Sequence, residues 1–126
     1  MATIKSYTDL EQSKVLATIL PIESADYCWG IDYESRYLNF NSIPYTRPYI
    51  WYNDEDNIPC WSLAALLGVL PNIIKGVHFK TLSFLYEWHC AYMNGNGEIL
   101  NCDTSADNPI DACYEMILKL HELNLL

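Results

Sequence analysis

Apolar residues at Leu10, Val15, Leu16, Ile19 and Leu20 recur at helical spacing behind Thr8, and Glu11 stands three residues after that threonine. A hydroxyl and a carboxylate so placed satisfy each other's backbone N–H groups as a capping box, which predicts a helix from about Thr8 to Leu20. Pro21 closes it, having no N–H to donate and clashing with the preceding turn. From Tyr27 to Tyr52 the helical period is lost, aromatics recur, and Glu34-Ser35-Arg36 reads as a turn between short strands. Cys60 to Leu70, bounded by Pro59 and Pro71, is apolar on nearly every side and predicts a buried helix that forms the central core element. Val77 to Met93 is rich in β-branched and aromatic residues. Within it Leu82, Phe84, Tyr86, Trp88, Cys90 and Tyr92 alternate onto one face of a predicted strand. Asn94-Gly95-Asn96-Gly97 predicts a tight hairpin turn, because Asn and Gly tolerate positive φ, with Glu98 to Asp103 as the returning strand. Asn108-Pro109 then opens a last helix with a capping side chain and a proline at the first helical position, and Asp111 stands near its positive end. Ile110, Cys113, Ile117 and Leu120 form its buried stripe, opposite Asp111, Glu115, Lys119 and Glu122.

Helix, strands, buried helix, strand hairpin and helix, in that order, predict an α+β fold in which an antiparallel sheet is covered by about three helices. The length of 126 residues suits one hydrophobic core, so 1–126 is expected to form a single compact domain. With 51% hydrophobic and 18% charged residues the composition is that of a globular chain. Sixteen acidic residues oppose seven basic ones, and the net charge of -9 repels phosphate backbones, which argues against general nucleic-acid binding. Asp54-Glu55-Asp56 reads as a solvated loop. No apolar run approaches the ~20 residues of a membrane helix, and Met1 to Tyr7 lacks an apolar signal core. The expectation is a cytoplasmic protein, without membrane contact, whose five cysteines remain thiols.

Close Cys or His pairs of the C-x-x-C kind do not occur, so neither a metal site nor a cofactor is expected. Cys90 and Cys102 flank the predicted hairpin and would face one another only in one register. His89 adjoins Cys90, but neighbouring strand residues point to opposite faces, so the two do not make a nucleophile and its base. His78, His89 and His121 read as surface or edge residues, and Gly95 to Gly97 lacks the Gly-Lys-Ser/Thr ending of a phosphate loop. No catalytic residue is assigned. The uneven feature is aromatic: Tyr27, Trp29, Tyr33, Tyr37, Phe40, Tyr45, Tyr49, Trp51 and Tyr52 crowd one segment that also holds both arginines, Arg36 and Arg47. Stacking rings and bidentate guanidinium groups suit a planar anionic ligand, whereas aromatics equally fill cores and protein interfaces. The candidate ligand- or partner-binding residues are therefore Arg36, Arg47, Tyr37, Tyr45, Tyr49 and Trp51.

Pro59-Cys60-Trp61-Ser62-Leu63-Ala64-Ala65-Leu66-Leu67 through Leu70-Pro71, and Ala106-Asp107-Asn108-Pro109 through Glu115 to Glu122, resemble short uncharacterised proteins of gut Bacteroides-type bacteria, their phages and other mobile elements. Leu10-Glu11-Gln12-Ser13 to Leu20-Pro21 fits the same pattern, so the resemblance covers both termini and the middle helix. It implies a setting and no chemistry: a small acidic product of a phage or mobile element that binds a host protein or sequesters a small molecule. The leading expectation is a non-enzymatic accessory protein that binds a protein partner through its aromatic segment and self-associates. The alternative is a sponge for a nucleotide-like molecule, and the third class is a small hydrolase or transferase.

Overall fold

The computed structural model describes residues 5–29, 31–32, 37–38, 45–46 and 58–126. The chain divides into two compact units, Tyr7–Ala65 and Leu66–Leu126, the second joined by Met1–Ser6. Among the described residues three α-helices and antiparallel sheets make the fold α+β, as the order of elements predicts.

In the first unit α1 spans Leu10–Ala17. Its cap is Asp9, which accepts from the Gln12 N–H at 2.8 Å while the Gln12 side chain accepts from the Asp9 N–H at 3.0 Å. The capping box is therefore one residue later than Thr8 and Glu11 predict. Thr8 is fully buried and has other work: its hydroxyl accepts from the Trp61 N–H at 3.1 Å and shares a 2.8 Å hydrogen bond with Ser13. Trp61, also fully buried, donates its indole N–H to Ser24 at 2.9 Å, so its polar edge is satisfied inside the unit. Strand β1 (Tyr27–Trp29) is followed by β2 (Ile31–Asp32), β3 (Tyr37–Leu38), β4 (Tyr45–Thr46) and β5 (Ile58–Cys60). They pair antiparallel as a three-stranded sheet in the order β4-β1-β5 and a two-stranded sheet β2-β3.

Helix α2 spans Leu63–Val69, and its start is held by Asp26, whose carboxylate accepts both the Ser62 N–H and the Ser62 hydroxyl. The stretch from Cys60 to Leu70 is thus not one buried helix: Cys60 ends β5, and within α2 only Leu66 is fully buried. The all-round apolar pattern arises because strand, cap and helix each present an apolar face in turn.

In the second unit β6 (Ile73–Ile74), β7 (His78–Leu85), β8 (Glu87–Met93) and β9 (Ile99–Ala106) form one antiparallel sheet in sequence order. The run from Val77 to Met93 is two strands and not the single strand its pattern predicts, because the chain reverses at Tyr86, which takes a φ of 64°. Pairing Phe84 with Trp88 and Leu82 with Cys90 nevertheless keeps the even-numbered residues on one face. The β8-β9 turn is as predicted: the Asn94 side chain accepts from the N–H groups of Asn96 and Glu98, and Gly97 takes a φ of 80°. Helix α3 spans Pro109–Glu122 behind an Asn108 cap that accepts from the Asp111 N–H at 2.9 Å. It packs on β8 and β9 with Ile110, Ala112, Cys113, Met116, Ile117 and Leu120 buried, and Thr104 pins it by donating to the Ala112 carbonyl at 2.7 Å. Lys80 closes the C-terminal end of α2, donating to the Leu67 and Leu70 carbonyls.

Leu66→Asp should abolish soluble expression, since an unpaired buried carboxylate costs several kcal/mol, comparable with a domain's whole stability of about 5–15 kcal/mol. Leu66→Ala should remain soluble and lose roughly 2–5 kcal/mol in chemical denaturation. An unchanged denaturation midpoint in Leu66→Ala would remove this residue from the core.

Candidate functional site

Of the residues the sequence singles out, Arg36, Arg47, Tyr49 and Trp51 lie outside the described residues. Tyr37 stands on β3 opposite Asp32, and Tyr45 on β4 opposite Cys28, so these two occupy different sheets.

The described residues present a different surface, on the sheet of the second unit. The face carrying Cys90, Tyr92 and Cys102 is buried, and α3 reaches it through Thr104. The opposite face carries Ile73, Phe79, Met93 and Ile99, which the ladder places side by side: Ile73 opposite Phe79, Phe79 opposite Met93, Met93 opposite Ile99. This is one apolar row across all four strands. Ile73, Phe79 and Ile99 are 47%, 51% and 54% exposed, about half of each side chain standing in water. The next rows along the same face are Thr81, Ala91 and Asp103, then Ser83, His89 and Ser105, then Leu85 and Glu87. Asp103 and Glu87 on the face, and Glu98 beside Ile99, are exposed. The face is therefore an apolar bar at one end grading into a polar, acidic field.

At the far end of the β7-β8 hairpin Tyr86 is 95% exposed, and Phe84 and Leu85 are exposed beside it. Phe84 leans on Trp88 with ring centroids 5.4 Å apart. A tyrosine with positive φ is an outlier, since the left-handed region brings Cβ close to the carbonyl oxygen and costs roughly 1–2 kcal/mol. Apolar residues on both sides of one strand run were the available sequence signal for this surface. Phe79, Leu85 and Met93 sit at the odd positions that a half-buried strand would make polar.

The thiols offer little nucleophilic chemistry. All five cysteines are free and buried. Cys90 lies opposite Thr104, so Cys102 does not face it; its thiol partner is Cys113 on α3. The hydrogen bond to Cys90, reinforced by burial, pushes the Cys113 thiol far above its ordinary range, while the same bond and the nearby Lys80 draw Cys90 down against its own burial. Burial also pushes up Cys60, with Cys28 and Asp26 adding to it, and the Tyr92 hydroxyl, with the surrounding thiols adding to it. Tyr92 donates to the Pro71 carbonyl at 2.7 Å. His78 departs from the surface reading, because its Nδ1 is buried and has no hydrogen-bond partner among the described residues. Among the described residues no group of His, Cys, Asp and Glu is placed to hold a metal, and no helix is long and apolar enough to cross a membrane.

Comparison with protein-family models, with curated proteins and with solved structures gives no match to this chain.

The raised thiols make the fold sensitive to alkali. Above about pH 8.5 the unfolded chain releases its thiol protons while Cys60 retains its own in the folded state; Cys113 acts in the same direction and its partner Cys90, drawn down, in the opposite one. At Cys60 the folded state then binds more protons, so its contribution is fully present below that pH and falls above it, by up to about 1.4 kcal/mol per pH unit. Chemical denaturation between pH 7 and pH 10 should show this fall, and Cys60→Ala should make it shallower. A flat profile to pH 10 would contradict the burial of Cys60.

Proposed function

We propose that this protein is a non-enzymatic binding protein that uses the open face of its four-stranded sheet to dock a basic protein partner. The observation that carries the proposal is the half-exposed row of Ile73, Phe79, Met93 and Ile99, placed side by side by strand register. Large apolar side chains held in water by a rigid sheet are stabilised by a partner that covers them, each by roughly 1.5–3 kcal/mol when fully buried. Charge selects the partner. Asp103 stands in the next row and Glu98 beside Ile99, and a second copy of this acidic chain would bring carboxylates against carboxylates. A segment with an apolar ridge between lysines or arginines fits instead, and electrostatic attraction would speed its approach. Such a partner accords with the implied setting of a phage or mobile-element product acting on a host protein.

A photoreactive phenylalanine analogue at position 79, in the cell of origin, should cross-link a partner whose attached peptide carries lysine or arginine beside apolar residues. The same analogue at position 115, on the exposed side of α3, should not. Titrated calorimetrically against the purified partner, Phe79→Thr should bind roughly 10- to 100-fold more weakly, with affinity falling as salt rises. Threonine keeps strand propensity, so the melting temperature should stay close to that of the parent. Cross-links solely to a second copy of this chain, or wild-type affinity in Phe79→Thr, would overturn the proposal.

A further inference from the structure

A cleft of about 300 Å³ lies on another part of the second unit, lined by Lys75, Leu100, Cys102, Leu123 and Leu125. Two local devices build it. At the end of α3 the Asn124 N–H donates to the His121 carbonyl and the Leu125 N–H reaches back to Leu120 at 2.8 Å, with Asn124 at a φ of 58°. This Schellman-type ending turns the last residues back, and Leu123 and Leu125 become one wall of the cleft. In the β6-β7 turn Lys75 and Gly76 both take positive φ, 53° and 78°. Glycine is at home there; lysine is not, since asparagine, aspartate and glycine are the residues that such turns favour. Lys75 is exposed at this cleft, and among the described residues no ion pair engages it, whereas Lys5 meets Asp111 and Lys14 meets Glu11.

We propose that this cleft binds a small amphiphilic carboxylate, an acyl acid of about six to eight carbons, with its chain between Leu100, Leu123 and Leu125 and its carboxylate on Lys75. Size and charge decide the class. At about 30 Å³ per small heavy-atom group the space holds roughly ten, at the lower limit of small-ligand sites. Three leucines and the Cys102 thiol receive a hydrocarbon chain and offer it no charged partner. Among the described residues Lys75 is the one charged residue lining the cleft, and it is a cation in a chain of net charge -9. An anionic head is drawn to that point, and an amine head of the same length is repelled from it.

Calorimetric titration with butanoate, hexanoate, octanoate and decanoate tests the proposal. Affinity should rise about fourfold per added methylene while the chain is being buried, and level off beyond octanoate. 1-Octanol and octylamine should bind at least tenfold more weakly than octanoate. Lys75→Asn should lose octanoate affinity by about tenfold with the octanol affinity unchanged, and Lys75→Arg should retain both. Asparagine tolerates positive φ, so Lys75→Asn should melt no lower than the parent and its loss of binding cannot be unfolding. Resonances of Leu100, Leu123 and Leu125 should shift on titration. Equal affinity for octanoate and octanol, an unaffected Lys75→Asn, no saturable binding at millimolar octanoate, or shifts centred on the Ile73 to Ile99 row would each overturn it. Concentration-dependent broadening of the cleft leucines without ligand would overturn it too, showing a second copy as the occupant.

Discussion

The second unit depends on one seam, the apolar stripe of α3 laid against β8 and β9. Ile110, Cys113, Met116, Ile117 and Leu120 supply the helix side, and Cys90, Tyr92 and Cys102 the sheet side, all buried. Because the side chains of a strand alternate, a slip of one residue would turn Cys90 and Tyr92 outward and bring His89 and Met93 beneath the helix. The seam therefore sets the register of the sheet, and the register decides what the opposite face presents. A helix about 10–12 Å across covers roughly two strands spaced about 4.8 Å apart. One helix over β8 and β9 leaves Ile73, Phe79 and Ile99 of the reverse face about half exposed. The apolar row is a by-product of the same pairing that buries the core, which is why mutation can address it without touching the seam.

The first unit is organised by hydrogen bonds to one residue pair. Trp61 and Ser62 meet Thr8, Ser24 and Asp26, residues up to 53 positions distant, and every one of these polar groups ends inside the unit with a partner. Buried polar groups are costly to leave unpaired, so this network specifies one arrangement of the α1 approach and the β5 exit.

What was legible in the sequence was local. The Asn108-Pro109 start of α3, its buried stripe and the Asn94 to Gly97 turn depend on neighbours within a few residues, and the structure has them where the pattern places them. The start of α1 is displaced by one residue because the Thr8 hydroxyl is taken by Trp61, a partner that no local pattern reveals. The reversal at Tyr86 carries no glycine or asparagine, so nothing marked the break between β7 and β8. The candidate docking face was illegible for a further reason: Ile73, Phe79, Met93 and Ile99 become neighbours only through register, and the aromatic crowd around Arg36 and Arg47 lies elsewhere in the chain.

One face of this sheet is buried by α3 while the other holds its apolar row of Ile73, Phe79 and Ile99 half in water. Paramagnetic broadening of isoleucine methyl resonances by a soluble nitroxide measures this directly in the free protein. Ile73 and Ile99 should broaden strongly and alike, while Ile110, Ile117 and Ile74, all buried, should be protected. Protection of Ile73 and Ile99 to the level of Ile117 would contradict the account, because the face would then already be covered.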